Sequence, residues 1–259
     1  MDANVDLTGR LRAAILAQSL PYPSTAFLAS LTTARSPPPP LPSLVATAKA
    51  RLLAADLSSS ALLGDAAGSL PSLPPGADAA AARELRLPRP VHVQVVDVEN
   101  LSLSRWEQIE ELEAVERGET TRGREVVRIT GDDNDNENGE SSPQTQPQTQ
   151  RPATRTPTAT GIRPAGKTAT HRLVLQDCKG AKVYALELKR IDSIGVGKTQ
   201  MGEKMLLKTG TVIARGTVLL EPDKCVLLGG KIDAWQRAWM DGRLARLREA
   251  VSQDDAQRA

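Results

Sequence analysis

The chain has 259 residues with 33 Lys or Arg against 31 Asp or Glu, a formal charge of +2, which excludes a protein drawn to nucleic acid or an anionic membrane by its global field. Two cysteines exclude a disulfide scaffold, and with only two histidines at distant positions no structural zinc site is expected. No apolar run approaches the roughly 20 residues of a membrane span, and Asp2, Asp6, Arg10 and Arg12 interrupt a signal-peptide core, so reduced thiols in the cytosol or nucleus are the expectation.

Leu7, Leu11, Ala14 and Ile15 recur at helical spacing over 6–19, and Pro21 and Pro23 end the pattern. Ser24 is placed to cap a second helix carrying Phe27, Leu28 and Leu31, which must stop before the Pro37 to Pro40 run. Ser43 is read as the cap of a third, with Leu44, Val45, Ala48, Leu52 and Leu53 on one face. Helices this short are marginal alone, so residues 1–56 are read as a small bundle. Residues 57–89, rich in Ser, Ala, Gly and Pro, read as an irregular connector lying along the next domain.

That domain is expected over 90–259. Val91, Val93 and Val95 alternate with His92 and Gln94, the period of a half-buried strand. From Ser104 the period becomes helical, with Trp106, Ile109 and Leu112 opposite Glu107, Glu110, Glu111 and Glu113. Residues 117–168 lose apolar periodicity, passing from an acidic run at 132–140 into Gln-Thr and Pro-Thr repeats; they are read as a long disordered insertion. A hairpin is expected next, 171–177 and 181–189 joined at Lys179-Gly180, then a short strand at Met205 to Leu207. Thr211 to Leu220 is read as one long strand bulged at Gly216, followed by a turn at Glu221-Pro222-Asp223 and a last strand at 224–228. A helix over 231–251 carries Ile232, Trp235, Trp239, Leu244, Leu247 and Val251 on its stripe. The predicted class is α+β: a helical bundle, then a five-stranded OB-type barrel with the insertion between its first two strands, then a C-terminal helix.

Gly195-Val196-Gly197-Lys198-Thr199 ends like a phosphate loop, but Asp192 stands where the leading glycine is needed and Met205 opens a strand rather than a helix. It reads as a flexible surface loop. His92 and His171 sit in strands without ligand partners and read as structural; no metal and no cofactor are expected. The run at 132–140 lacks the closing glutamate of a calcium loop. Binding of single-stranded nucleic acid is the functional alternative, with Lys179, Lys182, Lys189, Arg190, Lys198, Lys204 and Lys208 as weak phosphate contacts, although the barrel strands carry one aromatic, Tyr184. Trp235 and Trp239 read as core, whereas Trp106 in its acidic helix reads as an interface candidate.

The stretches from His171 to Leu188, from Lys204 to Pro222 and from Val226 to Ile232, with the N-terminal helices, the strand from Pro90 to Val95 and Ser104-Arg105-Trp106, resemble the family of RecQ-mediated genome instability protein 1 in its fungal, single-OB-fold form. The resemblance implies a nuclear, non-enzymatic partner of topoisomerase III and a RecQ-family helicase that promotes decatenation and dissolution of double Holliday junctions. It also implies that the enlarged first loop reaches the topoisomerase gate. Tudor-domain-containing protein 3 shares the helix-plus-OB arrangement but implies an aromatic cage and a short first loop, and ranks second. The partner contacts expected on this reading are Trp106, Lys179, Lys189, Lys198 and Lys204 on the barrel, with Lys204 first because Gly202-Glu-Lys-Met resembles a family turn. Arg151, Arg155, Arg163 and Lys167 of the insertion are suited to a DNA strand or an acidic partner surface.

Overall fold

The computed structural model describes residues 2–58, 61–64, 69–118 and 169–258; of the expected insertion only Arg117 and Gly118 fall among them. Helices α1 (Asp2–Ala17), α2 (Thr25–Thr32) and α3 (Leu41–Ala54) pack around Leu11, Ile15, Leu20, Phe27, Leu28, Leu31, Leu44, Ala48, Leu52 and Leu53. Ser24 caps α2 as expected, its Oγ accepting the Phe27 N–H while its hydroxyl donates to the Ala61 carbonyl. Ser43 does not cap α3. That helix starts three residues earlier with Pro40 at its N-cap and Pro42 in its first turn, positions where a fixed φ is already helical and a missing N–H costs nothing.

The second body is one curled sheet of eight strands: β1 (Leu85–Arg86), β2 (Val91–Asn100), β3 (His171–Gln176), β4 (Lys182–Glu187), β5 (Lys204–Leu207), β6 (Val212–Ala214), β7 (Thr217–Leu220) and β8 (Cys225–Gly229). Their spatial order is β1-β6-β7-β4-β3-β2-β5-β8. β2 pairs antiparallel with both β3 and β5, and β4 runs parallel to β7, an OB-type arrangement. The register of β2 slips between Val95 and Asp97, so Val91, Val93, Val95 and then Val98 enter the core with Leu173, Leu175, Val183, Ala185, Met205, Leu207, Val218 and Leu220. A bulge of this kind bends a strand enough to curl a small sheet.

Two expectations about this sheet are corrected. The long strand over 211–220 is a hairpin, because Arg215 (φ 48°) and Gly216 (φ 76°) form a two-residue turn of the kind that needs positive φ at both positions. Gly216 is required there twice over, since a Cβ would lie 2.5 Å from the Asp78 carbonyl. The connector supplies β1 and places Leu73, Ala77 and Leu87 in the barrel core, so it is part of the domain it precedes. The Lys179-Gly180 turn forms because the Asp177 carboxylate accepts the N–H groups of Leu73, Lys179 and Ala181.

After the barrel the expected single helix is two, α5 (Asp233–Asp241) and α6 (Arg243–Arg258). At Gly242 the chain turns, and Arg246 folds back to donate to the Trp239 carbonyl at 2.8 Å over the Trp239 ring. Trp239 itself is buried in the barrel core, its indole N–H on Asp97 at 2.6 Å. The redirected α6 then packs along α4 (Arg105–Glu116).

Helical bundle and barrel are joined through buried polar groups. Gln94 accepts the Leu57 N–H and donates to Asp56 and Gln176; His92 Nε2 lies 2.8 Å from the Ser19 carbonyl. Burial lowers the His92 pKa, partly offset by that hydrogen bond, so the ring is held neutral. Lys204 is wholly buried, its Nζ on the Gly202 carbonyl at 2.5 Å.

Candidate functional site

Chain order puts the long excursion after β2, at the end of the barrel where Asn100 pairs with His171. Both roots of that excursion are pinned. Asn100 Oδ1 accepts the Ser102 N–H, Ser102 Oγ accepts the Thr170 N–H, and the Leu101 N–H donates to the Thr170 carbonyl. α4 begins with a reciprocal capping box between Ser104 and Glu107, which satisfies two otherwise orphaned donors. Gln108 donates to the Asn100 and Leu103 carbonyls and accepts from Arg243. Glu113 pairs with Arg248 at 2.7 Å, and Arg105 pairs with Asp254. α6 thereby clamps the helix that leads into the insertion.

Beneath the roots lies a buried polar cluster that spacing in the sequence does not reveal. The Glu187 carboxylate takes the His171 N–H and Nδ1–H at 2.9 and 2.7 Å, the Arg190 guanidinium at 2.8 Å and the Ile191 N–H at 3.0 Å. Burial alone would raise its pKa, but the hydrogen bonds from His171 and Ile191 and the Arg190 charge hold it below the usual range. His171, the first residue of β3 after the insertion, is thus locked to the end of β4. Reading both histidines as structural agrees with these contacts.

Around the roots the surface is apolar. Trp106 is 60% exposed and Leu188 58%, with Leu101 and Leu103 also exposed. By register Leu101, Thr170 and Leu188 end three adjacent strands. An exposed tryptophan among leucines has the composition common at interaction surfaces, where aromatic anchors carry a large share of interface free energy.

The remaining expected contact residues are scattered. Lys189 and Lys198 are exposed at this same end; Lys189 pairs with Glu221 at 2.8 Å and Lys198 Nζ donates to the Asp192 carbonyl at 2.9 Å. Lys179 is exposed in the β3–β4 turn, at the opposite end of the barrel. Arg151, Arg155, Arg163 and Lys167 lie outside the described residues. Lys204 is corrected: it sits between the bundle and the barrel with no exposed surface and cannot be a partner contact in this conformation. Nothing in its local sequence announces this, because the burial comes from Asp56 and the bundle, distant in the chain.

The segment at 195–199 is also corrected, from a flexible surface loop to a packed turn. Ile194, Val196 and Thr199 are buried, the Lys198 and Thr199 N–H groups return to the Gly195 carbonyl, and the Gly195 N–H donates to Thr199 Oγ1. Those N–H groups are engaged within the turn and do not form a phosphate cradle. Among the described residues, no group of three or more His, Cys, Asp or Glu is placed to hold a metal, and no helix is long and apolar enough to cross a membrane.

Comparison with known proteins matches both bodies. Residues 73–243 match the family model described as RMI1, N-terminal OB-fold domain, and residues 15–60 that described as RMI1, N-terminal helical domain. RecQ-mediated genome instability protein 1 of Schizosaccharomyces pombe is 26% identical over 161 residues, covering 62% of this chain and 63% of the relative's length. With the helical domain matched ahead of the OB-fold domain, as the bundle stands ahead of the OB-type sheet here, the chain belongs to the RMI1 family.

Proposed function

We propose that this chain is a non-catalytic scaffold that joins topoisomerase III to a RecQ-family helicase in the nucleus and promotes decatenation and dissolution of double Holliday junctions. The name of the fission-yeast relative ties that protein to RecQ and genome stability, and membership of the family supports the same role here. The observation that carries the reading is the rigid, apolar rim of Leu101, Leu103, Trp106 and Leu188 around the roots of the insertion. A scaffold needs a pinned surface from which a long segment reaches its partner, and a tether holds that segment at high local concentration there.

The test is copurification with topoisomerase III of the same organism. A stable complex is expected at micromolar concentration, and Trp106→Ala is expected to weaken it at least about 10-fold, as for a central aromatic anchor. Absence of a complex would refute the reading. Replacing residues 117–168 by a short Gly-Ser linker is expected to leave the barrel folded, because loop-closure cost changes only slowly with length. Topoisomerase capture should persist while stimulation of decatenation falls. Undiminished stimulation would separate the insertion from the function.

The non-enzymatic part of the proposal has its own check. The purified chain is expected to show no ATP hydrolysis above background, and Lys198→Ala to leave that background unchanged. ATP turnover abolished by Lys198→Ala would contradict it.

A further inference from the structure

The connection between α2 and α3 carries consecutive prolines from Pro37 to Pro40. Ending one helix and starting the next does not need all of them. α2 closes with Thr33 as its C-cap, before the run begins, and α3 opens with Pro40 at its N-cap and Pro42 in its first turn. Nor do these prolines fill the core: Pro21 and Pro23 of the same bundle are buried, whereas Pro37, Pro38 and Pro40 are exposed and Pro39 is half-buried. Each proline fixes its own φ at about −65°, and each one that precedes another is pushed to extended ψ; Pro40 has φ −55° and ψ 145°. The run is a short polyproline II helix, whose three residues per turn put Pro37 and Pro40 on one ridge, Pro38 on a second and Pro39 on the third. Half-burial of Pro39 turns that third ridge to the bundle and the other two to solvent.

The run leads into an apolar groove of about 490 Å³ between α1 and α3, lined by Ala14, Gln18, Leu41, Pro42, Val45 and Ala46. Leu41 and Pro42 follow Pro40 directly, so rod and groove form one surface. Arg35 stands two residues ahead of the run and Lys49 lines the groove beyond it. Both are exposed, and neither is in an ion pair among the described residues. A stiff rod without N–H donors, presenting pyrrolidine rings and carbonyls with a cation toward each end, is complementary to a groove of aromatic side chains flanked by a carboxylate. The rings pack on aromatic faces and the carbonyls accept from indole or phenol donors. Little entropy is lost on binding, because the rod already holds its bound conformation.

We propose that the proline run and the adjoining α1–α3 groove are a docking site for a partner domain that reads polyproline II helices, with Pro37, Pro38 and Pro40 in its aromatic groove and Arg35 on its carboxylate. The surface belongs to the helical bundle, apart from the rim around the insertion, and needs neither topoisomerase III nor DNA.

Biolayer interferometry of the full chain against immobilised SH3, WW and EVH1 domains, the three groups that read such rods, tests it without any topoisomerase present. At least one domain should bind saturably in the micromolar range, as for a small transient interface, and a synthetic oligoproline should displace it. Pro38→Ala and Pro40→Ser should each weaken binding about 10-fold, the loss of one buried contact; serine at 40 also preserves a helix cap. Pro39→Ala, on the inward ridge, should weaken it about 3-fold at most, through lost stiffness alone. Arg35→Glu should weaken it about 10-fold and remove its salt dependence. These positions are not buried, and unchanged melting curves verify that the variants fold. Three results would each overturn the proposal: no binding by any of the domains at about 100 micromolar, wild-type affinity in the combined Pro38→Ala and Pro40→Ser variant, or a loss in Pro39→Ala as large as that in Pro38→Ala. The first of these would leave the run as a spacer between two helices, whatever topoisomerase III does.

Discussion

Gly230→Ala is expected to lower the melting temperature by about 10 °C, whereas Gly229→Ala one residue earlier lowers it by only about 3 °C. Both glycines have positive φ, 81° and 89°, so alanine at either position incurs about 1–2 kcal/mol of left-handed strain. Their surroundings differ. A Cβ on Gly229 meets nothing within 4 Å, while one on Gly230 would stand 2.4 Å from the Leu53 carbonyl and 2.7 Å from its side chain. Leu53 lies in the last turn of α3 and belongs to the core of the bundle, so at Gly230 the chain leaving the barrel passes directly against the helical body. Displacing those two bodies adds an overpacking cost of about 1–3 kcal/mol. Equal melting shifts for the two variants would mean that the contact between bundle and barrel is not tight in solution.

The second large effect concerns Lys204, through pH. Burial lowers its pKa from 10.5 to about 8, partly offset by the Asp56 charge. In the folded protein the ammonium is therefore disfavoured relative to the unfolded chain, and the penalty, about 3 kcal/mol, is fully present below pH 8. Between pH 8 and 10.5 the native lysine is neutral while the unfolded one still holds its proton. The unfolded state then binds more protons, and stability rises with pH. Denaturant unfolding of wild type and Lys204→Met from pH 7 to 9.5 should show the difference between them shift by roughly 2 kcal/mol in favour of wild type. Parallel curves would place the ammonium in water. Lys204→Glu should cost about 3–5 kcal/mol, as for a charge buried without its partner. Any loss of topoisomerase capture in that variant should therefore accompany a lowered melting temperature.

Elements whose cause is local were legible from the residues. Ser24 before Phe27, the helical period from Ser104 and the alternation of Val91, Val93 and Val95 each act within a few positions of themselves. The Ser24 cap, the helix after Ser104, the strand and the hairpin at 171–189 stand where those patterns put them. The single strand expected over 211–220 failed for a reason that was also local: Arg215 adopts positive φ beside Gly216, a conformation that periodicity does not register. Trp106 kept its exposed position because the face of α4 packed by α6 is made by Gln108, Glu113 and Arg105.

What the residues determine by themselves is the class of this chain and the order of its parts: amphipathic helices, an OB-type series of strands, and a polar excursion after the first long strand. Backbone preference and apolar period act over short range and survive any tertiary context that satisfies them. Tertiary structure alone decided which polar groups are hidden. Lys204, Gln94 and Glu187 are as hydrophilic as any surface residue, yet Asp56, Leu57 and His171 reach them across large sequence separations. A lysine carries no mark of its own burial, because desolvation is set by whatever the rest of the chain packs over it.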